Sequence, residues 1–294
     1  MNYLLIPLVA LLAACQSLPD TPPLPTWQSP EGRDSAELGV ILDLRSGQRL
    51  TPAQLLERLA AAPRVLIGEQ HDNPDHHALE LWLVRALAQR REQGSVLLEM
   101  LNPDQQARAT QAQADAAAGK TPADLYTALA WQKGWDWSQY GPLVTWLARQ
   151  PTPLLAANLD RSEIKRIYSE PPPLEGTRST AQAVRSALLD DIRESHCGLL
   201  PESQMPAMLA VQQQRDRRMA ERLKAAPTPA VLIAGGFHVR RDLGVPLHLQ
   251  DLDAAEGAQV LTLAEVGRSV SPEQSDYVWF TPALPAQDHC AKFR

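Results

Sequence analysis

Ionisable or amide side chains directly follow four short apolar runs of the sequence. They are Glu69 and His71, Glu99, Asn158 with Asp160, and His238. Apolar runs of this length are typical of buried strands, and ligands of open parallel sheets bind outside the carboxyl ends of the strands. We therefore expect four of these side chains, here called the rim, to converge: Glu69, His71, Glu99 and His238. The rim would suit acid–base chemistry or coordination of a divalent metal.

Both rim histidines stand three residues after a glycine, in Gly68-x-x-His71 and Gly235-x-x-His238. Glycine allows the backbone to turn sharply where a strand ends. The spacing is thus consistent with a histidine that is turned into a site. It is equally consistent with a histidine that only caps or braces the turn.

A second region is aromatic. Four tryptophans and one tyrosine lie within sixteen residues: Trp131, Trp135, Trp137, Tyr140 and Trp146. Such a cluster can line a pocket for a flat apolar ligand, and Tyr140 could offer a phenolate to ferric haem iron. The alternative is that these rings pack in the core around the start of a helix.

A third feature is a helix stripe with three- and four-residue spacing: Met205, Met208, Gln212, Asp216 and Met219. Residues so spaced share one helix face, so Gln212 and Asp216 either point into the site or lie where the stripe meets solvent. His196, just upstream, is a further candidate. His76 and His77 open a predicted helix, and we expect them to be exposed.

The elements that must position these residues alternate along the chain. Apolar β-branched runs predict strands over 65–68, 96–99, 154–158, 231–234, 260–263 and 277–280, after a hairpin over 39–51. Amphipathic stretches predict helices over 52–61, 75–91, 103–118, 122–131, 139–149, 180–194 and 202–225. This alternation predicts an α/β fold with a mainly parallel sheet flanked by helices. The additional helical segments would form part of a ligand pocket.

The N-terminus predicts export. Residues 4–14 form an apolar run that is too short for a membrane span and has the length of a signal-peptide core. The run ends in small residues before Cys15, which resembles a lipobox, with a plain signal peptide or a buried strand as alternatives. We expect a signal peptide over 1–14, a lipidated Cys15 with a proline-rich tether over 15–33, and a single α/β domain over 34–294. Gln16 resembles the sorting signal for outer-membrane delivery.

Charge and cysteine content restrict the partners. The net charge is −6 and no long basic run occurs, which argues against nucleic acid as a partner. Besides Cys15, the chain has Cys197 and Cys290. In an oxidising compartment, a disulfide between these two cysteines is consistent with their even number.

Several of these segments together resemble the ChaN-like iron-regulated lipoproteins. They are residues 67–73, 98–100, 137–142, 156–158, 212–220, 235–246 and 276–279. The resemblance implies haem binding in haem or iron acquisition, with haem stacked face to face between two subunits and a tyrosine as iron ligand. Tyr140 is the best match for that ligand, and Tyr126 and Tyr168 stay open. The expected haem pocket is Tyr140, Trp137, Arg161, His196 and His238, with Arg161 and His238 near the propionates.

The resemblance also sets expectations for location and partners. We expect a lipid-anchored, palmitate-bearing protein on the outer membrane that faces the periplasm, forms a homodimer and meets an outer-membrane haem receptor. The wider superfamily is similar to the Tiki metalloproteases and the erythromycin esterases. The alternative function is therefore a metal-dependent or acid–base hydrolase that uses the rim, with a divalent metal as its cofactor.

Overall fold

One eight-stranded sheet forms the centre of the protein in a computed structural model that describes residues 22–288, 290 and 291. Its strands are β1 (Ile41–Asp43), β2 (Arg49–Leu50), β3 (Arg64–Glu69), β4 (Ser95–Leu98), β5 (Leu154–Ala156), β6 (Ala230–Gly235), β7 (Ala258–Glu265) and β8 (Tyr277–Thr281). The strand order is β2-β1-β8-β7-β3-β6-β4-β5. Neighbours from β8 to β5 pair in parallel, and β1 pairs antiparallel with both β8 and β2. The predicted mainly parallel sheet is confirmed.

Helices cover both faces of the sheet, which confirms the α/β class. Over the described residues they are α1 (Pro52–Ala61), α2 (Pro74–Ala88), α3 (Gln106–Ala117), α4 (Leu125–Ala128), α5 (Trp137–Ala148), α6 (Arg161–Ser169), α7 (Gln182–Ser195), α8 (Met205–Ala225), α9 (Gly236–Val239) and α10 (Val245–Asp251). Short 3₁₀ turns at Pro103–Gln105 and Glu202–Gln204 lead into α3 and α8.

Alternate residues of the central strands enter two different hydrophobic layers. Val65 and Ile67 of β3 pack with α1, α2 and α5, whereas Leu66 packs with α8 and α10. A strand that is buried on both faces needs apolar residues at consecutive positions, which explains the unbroken apolar runs of the sequence. The carboxyl ends of β3, β6 and β4, which are neighbours in the sheet, consequently meet at one edge.

Three short helices, α6, α9 and α10, have no counterpart in the sequence prediction. Helix α6 is mostly polar and only Ile167 of its residues is buried, so its apolar stripe of Ile164, Ile167 and Tyr168 is short. A local signal was nevertheless present, because Asp160 and Glu163 form a capping box at its start. The predicted helix over 122–131 is reduced to the single turn of α4.

The described part of the predicted tether is bound to the domain. The backbone amides of Gln28 and Ser29 donate to the carboxylate of Asp75 at 2.6 and 2.8 Å. The indole of Trp82 donates to the carbonyl oxygen of Pro22 at 3.1 Å. From residue 22 onward, the segment predicted as a proline-rich tether is therefore held against the domain surface by these contacts. The predicted signal peptide and Cys15 lie outside the described residues.

Cys197 and Cys290 form a disulfide, with their Cα atoms 5.6 Å apart. The bond joins the turn after α7 to the C-terminal segment. Among the helices of the described residues, none combines the length and the apolar character that a membrane span requires.

Candidate functional site at the carboxyl edge of the sheet

The ends of three adjacent strands bring the rim together. Glu69 is the last residue of β3, Glu99 follows β4, and His238 lies on α9 directly after β6. Nε2 of His238 is 3.3 Å from Oε1 of Glu99. The backbone amide of Gly235 donates to the other oxygen of Glu99 at 2.8 Å. The strand-end argument from the sequence thus leads to one site.

His71 is the solvent-facing member of the rim. Its side chain is 46% exposed, whereas the carboxylate of Glu69 is buried beneath it. The ring makes its hydrogen bonds through Nδ1, to Oε1 of Glu69 and, at 3.1 Å, to the hydroxyl of Tyr140. Burial opposes the charged ring, but the hydrogen bond and charge of Glu69 outweigh it and raise the pKa of His71. The site therefore favours an imidazolium at its opening.

His238 is the buried member, held between two carboxylates. Its Nδ1 lies 2.5 Å from Oδ1 of Asp216, and Gln212 contacts the same nitrogen at 3.2 Å. Burial opposes the charged ring, yet Glu99 and Asp216 together raise the pKa of His238 to about 10. Burial alone would raise the pKa of Glu99, but the charge of His238 holds it well below the usual range. Of the two alternatives for the α8 stripe, Gln212 and Asp216 reach into the site.

His76 and His77 are buried, so the expectation that they are exposed is wrong. The reason is that α2 begins under the site and packs against the ends of β3 and β8. His76 accepts from the amide of Gln70 at 2.9 Å, its Nε2 lies 2.9 Å from Oγ1 of Thr281, and burial lowers its pKa to about 3. The position of these two histidines at the start of a predicted helix gave no indication that they are buried.

His77 and Glu80 form a pair one helical turn apart beneath the rim. Nδ1 of His77 is 3.2 Å from Oε2 of Glu80, and its Nε2 donates to the carbonyl oxygen of His71 at 3.0 Å. Burial opposes the charge on His77, but Glu80 outweighs it and raises the pKa of His77 to about 9. Burial raises the pKa of Glu80 to about 7. Sequence reasoning missed Glu80 altogether.

The structure groups metal-ligand atoms differently from the sequence prediction. The rim was the predicted ligand set. Among the described residues, one group of three side chains places a ligand atom of each within 4.8 Å of those of the other two: Glu69, His77 and Glu80. Glu69 is common to both sets, because it ends β3 between the rim and the start of α2.

The aromatic cluster packs mainly in the core around α5. Tyr140 is only 1% exposed, and its ring contacts those of His77, Trp135 and Trp131 at centroid distances of 4.4, 5.8 and 6.2 Å. Trp137 is half-buried and contacts the ring of Trp131. Trp135 extends toward the opening, with its ring 4.9 Å from that of His71.

The hydroxyl of Tyr140 is a hydrogen-bond donor to Glu69, at 3.0 Å. Burial and the nearby charges of Glu69 and Glu80 raise the pKa of Tyr140 far above its usual value. A phenolate is therefore strongly disfavoured in this arrangement. Iron ligation by Tyr140 stays a prediction, and it would require this hydrogen bond to break and the ring to leave the core.

Two other predicted pocket residues lie on the surface. Arg161 is exposed at the first position of α6. His196 is exposed at the end of α7, where its Nδ1 lies 2.8 Å from the carbonyl oxygen of Ile192. Phe237, which the sequence reasoning did not single out, is 65% exposed next to His238. The sequence carries no sign of this exposure, which the fold determines, and a large apolar side chain held in solvent beside a polar site is typical of a binding surface.

The fold and the site define a class: an α/β protein with an acid–histidine cluster at the carboxyl edge of a mainly parallel sheet. The family model described as "Haem-binding uptake, Tiki superfamily, ChaN" matches residues 55–249. The chain belongs to this family. A solved structure titled cofacial haem binding to ChaN of Campylobacter jejuni is similar, with 31% identity and a TM-score of 0.74. The match covers 82% of this chain and 95% of that one.

Weaker similarities join the chain to other solved structures. A mutant of the erythromycin esterase EreC in its open conformation is 14% identical with a TM-score of 0.45, over 85% of this chain and 84% of that one. The RRSP effector domain of a Vibrio vulnificus toxin has the same identity and TM-score, over 82% of this chain and 39% of that one. Neither similarity is strong enough to support an argument about function. A comparison with curated protein sequences finds no match.

Proposed function

We propose that this protein binds ferric haem and serves in haem or iron uptake. The observation that carries the proposal is its membership of a haem-binding family, together with 31% identity to a ChaN whose structure is described as binding haem cofacially. By the same likeness, two copies of this chain would hold two haems face to face between them. The site is compatible with this role in its apolar surface, its charge and its accessible donors.

Flat apolar surface is available beside the rim. Phe237 is 65% exposed, and the half-buried Trp135 borders the exposed ring of His71. Covering such surface with a porphyrin removes it from water, at roughly 25 cal/mol per Å2 before the cost of association. We therefore place the porphyrin over Phe237, where an apolar ligand gains most.

The iron ligand should be a tyrosine that haem can reach. Tyr140 is 1% exposed and Tyr126 is half-buried against Trp137, whereas Tyr168 on α6 is 37% exposed. Helix α6 packs along α8, with Ile167 in one apolar cluster with Val211, adjacent to the Gln212 that contacts the rim. A phenolate is a suitable anionic ligand for ferric iron. Tyr168 is thus the ligand in our proposal, and Tyr140 is the alternative predicted from the sequence.

The propionates of haem require donors at the opening. His238 is poorly suited, because it is buried and both its ring nitrogens face carboxylates. The exposed His71, whose protonation Glu69 favours, is a better partner for a propionate than for iron, since a protonated ring has no lone pair to donate. Arg161 is a second exposed cation, on the same helix as Tyr168.

The experiment is a haemin titration of the wild type and of three single variants, Tyr168→Phe, Tyr140→Phe and Tyr126→Phe. Phenylalanine keeps the ring and removes only the ligating oxygen. We expect a tyrosinate-type spectrum in the wild type that is lost in Tyr168→Phe alone. If Tyr140→Phe loses this spectrum and Tyr168→Phe keeps it, the iron ligand is Tyr140 instead.

The proposal extends to the location of the protein on the outer membrane. The small residues before Cys15 support lipid attachment, and Gln16 supports delivery to the outer membrane, where a haem receptor would be the source of haem. Labelling cells with a fatty-acid probe tests the anchor. The wild type should carry the label and Cys15→Ser should not, and equal labelling of both would exclude lipidation at this residue.

A second candidate function is acid–base hydrolysis. The observation that favours it is the arrangement of Asp216, His238 and Glu99, in which a buried histidine is oriented by one carboxylate and faces another. A screen of ester substrates with wild type and His238→Gln tests this, and turnover that is equal in both proteins would exclude the role.

A further inference from the structure

We propose that Glu69, His77 and Glu80 form a binding site for a divalent metal ion of the zinc class, beneath the rim. The three side chains come from two adjacent elements, the end of β3 and the first turns of α2. His77 and Glu80 are three residues apart and so share one helix face. One imidazole nitrogen and two carboxylate oxygens of the group all lie within 4.8 Å of one another. The site does not depend on haem binding.

Two buried carboxylate oxygens in this group have no hydrogen-bond partner. They are Oε2 of Glu69 and Oε1 of Glu80, and the two residues are 3% and 0% exposed. Buried polar atoms are nearly always paired, because burial without a partner costs free energy, and the cost is larger for charged groups. A cation between the two carboxylates would satisfy both oxygens at once.

The orientation of His77 is the one that metal-binding histidines adopt. Its Nε2 lies 3.0 Å from the carbonyl oxygen of His71, and a carbonyl only accepts, so Nε2 carries the proton. The proton shared with Glu80 is then the one on Nδ1, and a metal ion that displaces this proton would meet the lone pair of that nitrogen. Metal-bound histidines commonly donate their second N–H to a carbonyl or carboxylate in this way. The ring of Tyr140, 4.4 Å away, restrains the imidazole further.

The ligand types define the class of metal. One nitrogen and two carboxylate oxygens suit zinc and the neighbouring first-row divalent ions rather than the softer metals that thiolates select. Three protein ligands leave one coordination position for water or another ligand. Tyr140 orients the site without ligating, because its hydroxyl donates to Oε1 of Glu69 and leaves Oε2 available.

The test is a titration of the purified, chelator-treated full-length protein with Co²⁺, a zinc substitute with visible absorption. We expect absorption bands that saturate at one Co²⁺ per chain and are displaced by Zn²⁺. Zn²⁺ at a hundredfold excess over its dissociation constant should raise the Tm by about 5 °C. Glu80→Gln, which keeps the shape of the side chain, should lose both effects.

Two variants serve as controls. His196→Gln removes an exposed histidine that could bind metal adventitiously, and Asp216→Asn alters the surroundings of His238. Both should bind Co²⁺ as the wild type does. The proposal is overturned if the wild type gives no saturable bands, or if Glu80→Gln binds Co²⁺ as tightly as the wild type. It is also overturned if Asp216→Asn abolishes binding, which would move the metal to the rim.

Discussion

The hydroxyl of Tyr140 on α5 donates a 3.0 Å hydrogen bond to Oε1 of Glu69 at the end of β3. This contact joins the aromatic cluster to the rim, and it orients the carboxylate that holds His71. Tyr140 is thus a positioning residue for Glu69 in the structure.

Removal of that hydroxyl should destabilise the protein. Hydrogen bonds to charged groups contribute about 1.5–3 kcal/mol, so we expect Tyr140→Phe to lower the free energy of unfolding by about that amount in a urea titration. The matched control is Tyr126→Phe, whose ring is half-buried and should change stability by less than about 0.5 kcal/mol. Equal stability of Tyr140→Phe and wild type would show that the contact contributes nothing.

The stability of the protein should fall as pH rises through the window set by His238. Its pKa is raised from 6.5 to about 10 by Glu99 and Asp216, against the effect of burial. The folded state therefore keeps a proton on His238 that the unfolded state releases above pH 6.5. The stabilisation is complete below pH 6.5 and is lost as the pH approaches 10. The free energy of unfolding should fall over this range by up to about 1.4 kcal/mol per pH unit.

Asp216→Asn removes one of the two charges that raise the pKa of His238. We expect a shallower decline of unfolding free energy between pH 6.5 and 10 than in the wild type. His196→Gln, at an exposed histidine, should leave the decline unchanged. Denaturant titrations across this pH range give the free energy of unfolding of all three proteins. Identical slopes for Asp216→Asn and wild type would contradict the conclusion that Asp216 raises the pKa of His238.

A methyl group at Gly235 should disturb the opening of the site. A Cβ there would stand 2.8 Å from Cε1 and 2.9 Å from Nε2 of His71, closer than such atoms pack. We expect Gly235→Ala to displace His71 and to weaken haem binding about tenfold. This is the effect expected when one charge-assisted hydrogen bond from His71 to haem is lost. At Gly236 the nearest atom would be the carbonyl oxygen of Glu69 at 3.4 Å, so Gly236→Ala is the control. Haemin titration of both variants tests this prediction. Similar haemin affinities of Gly235→Ala and Gly236→Ala would show that His71 is not part of the haem site.

The disulfide should contribute to stability through the loop that it closes. Cys197 and Cys290 are 93 residues apart, and cross-links that close long loops typically stabilise by about 2–5 kcal/mol. The double variant Cys197→Ser/Cys290→Ser should unfold at correspondingly lower urea concentration. Reduction of the wild type should destabilise it to the same extent, whereas reduction should leave the stability of the double variant unchanged. If reduction destabilises both proteins, its effect does not come from this disulfide.

The sequence predicted the sheet and the rim for one physical reason. Strands β3, β4 and β6 are buried on both faces, so each forms an uninterrupted apolar run, and Glu69, Glu99 and His238 stand at or shortly after the ends of these strands. The parallel arrangement then brings Glu69, Glu99 and His238 to one edge. These features follow from local patterns and a general rule of topology.

The deeper part of the site depends on contacts between distant parts of the chain. Helix α2 is buried around most of its circumference, at His76, His77 and Glu80 as well as at its leucines, so no polar face marks its surface. Its first turn is covered by Gln28 and Ser29, whose amides donate to Asp75, and by β8, which reaches His76 through Thr281. Periodicity within a helix cannot reveal what covers it from elsewhere.

The central claim is that this protein binds haem, and the most direct measurement is a titration of the purified wild-type protein with haemin. Absorbance at the haem band should rise and then break at one haem per chain. Sedimentation followed at the same wavelength should place the haem on a species of twice the mass of one chain. Absorbance that rises linearly without a break, with haem sedimenting apart from the protein, would contradict the account.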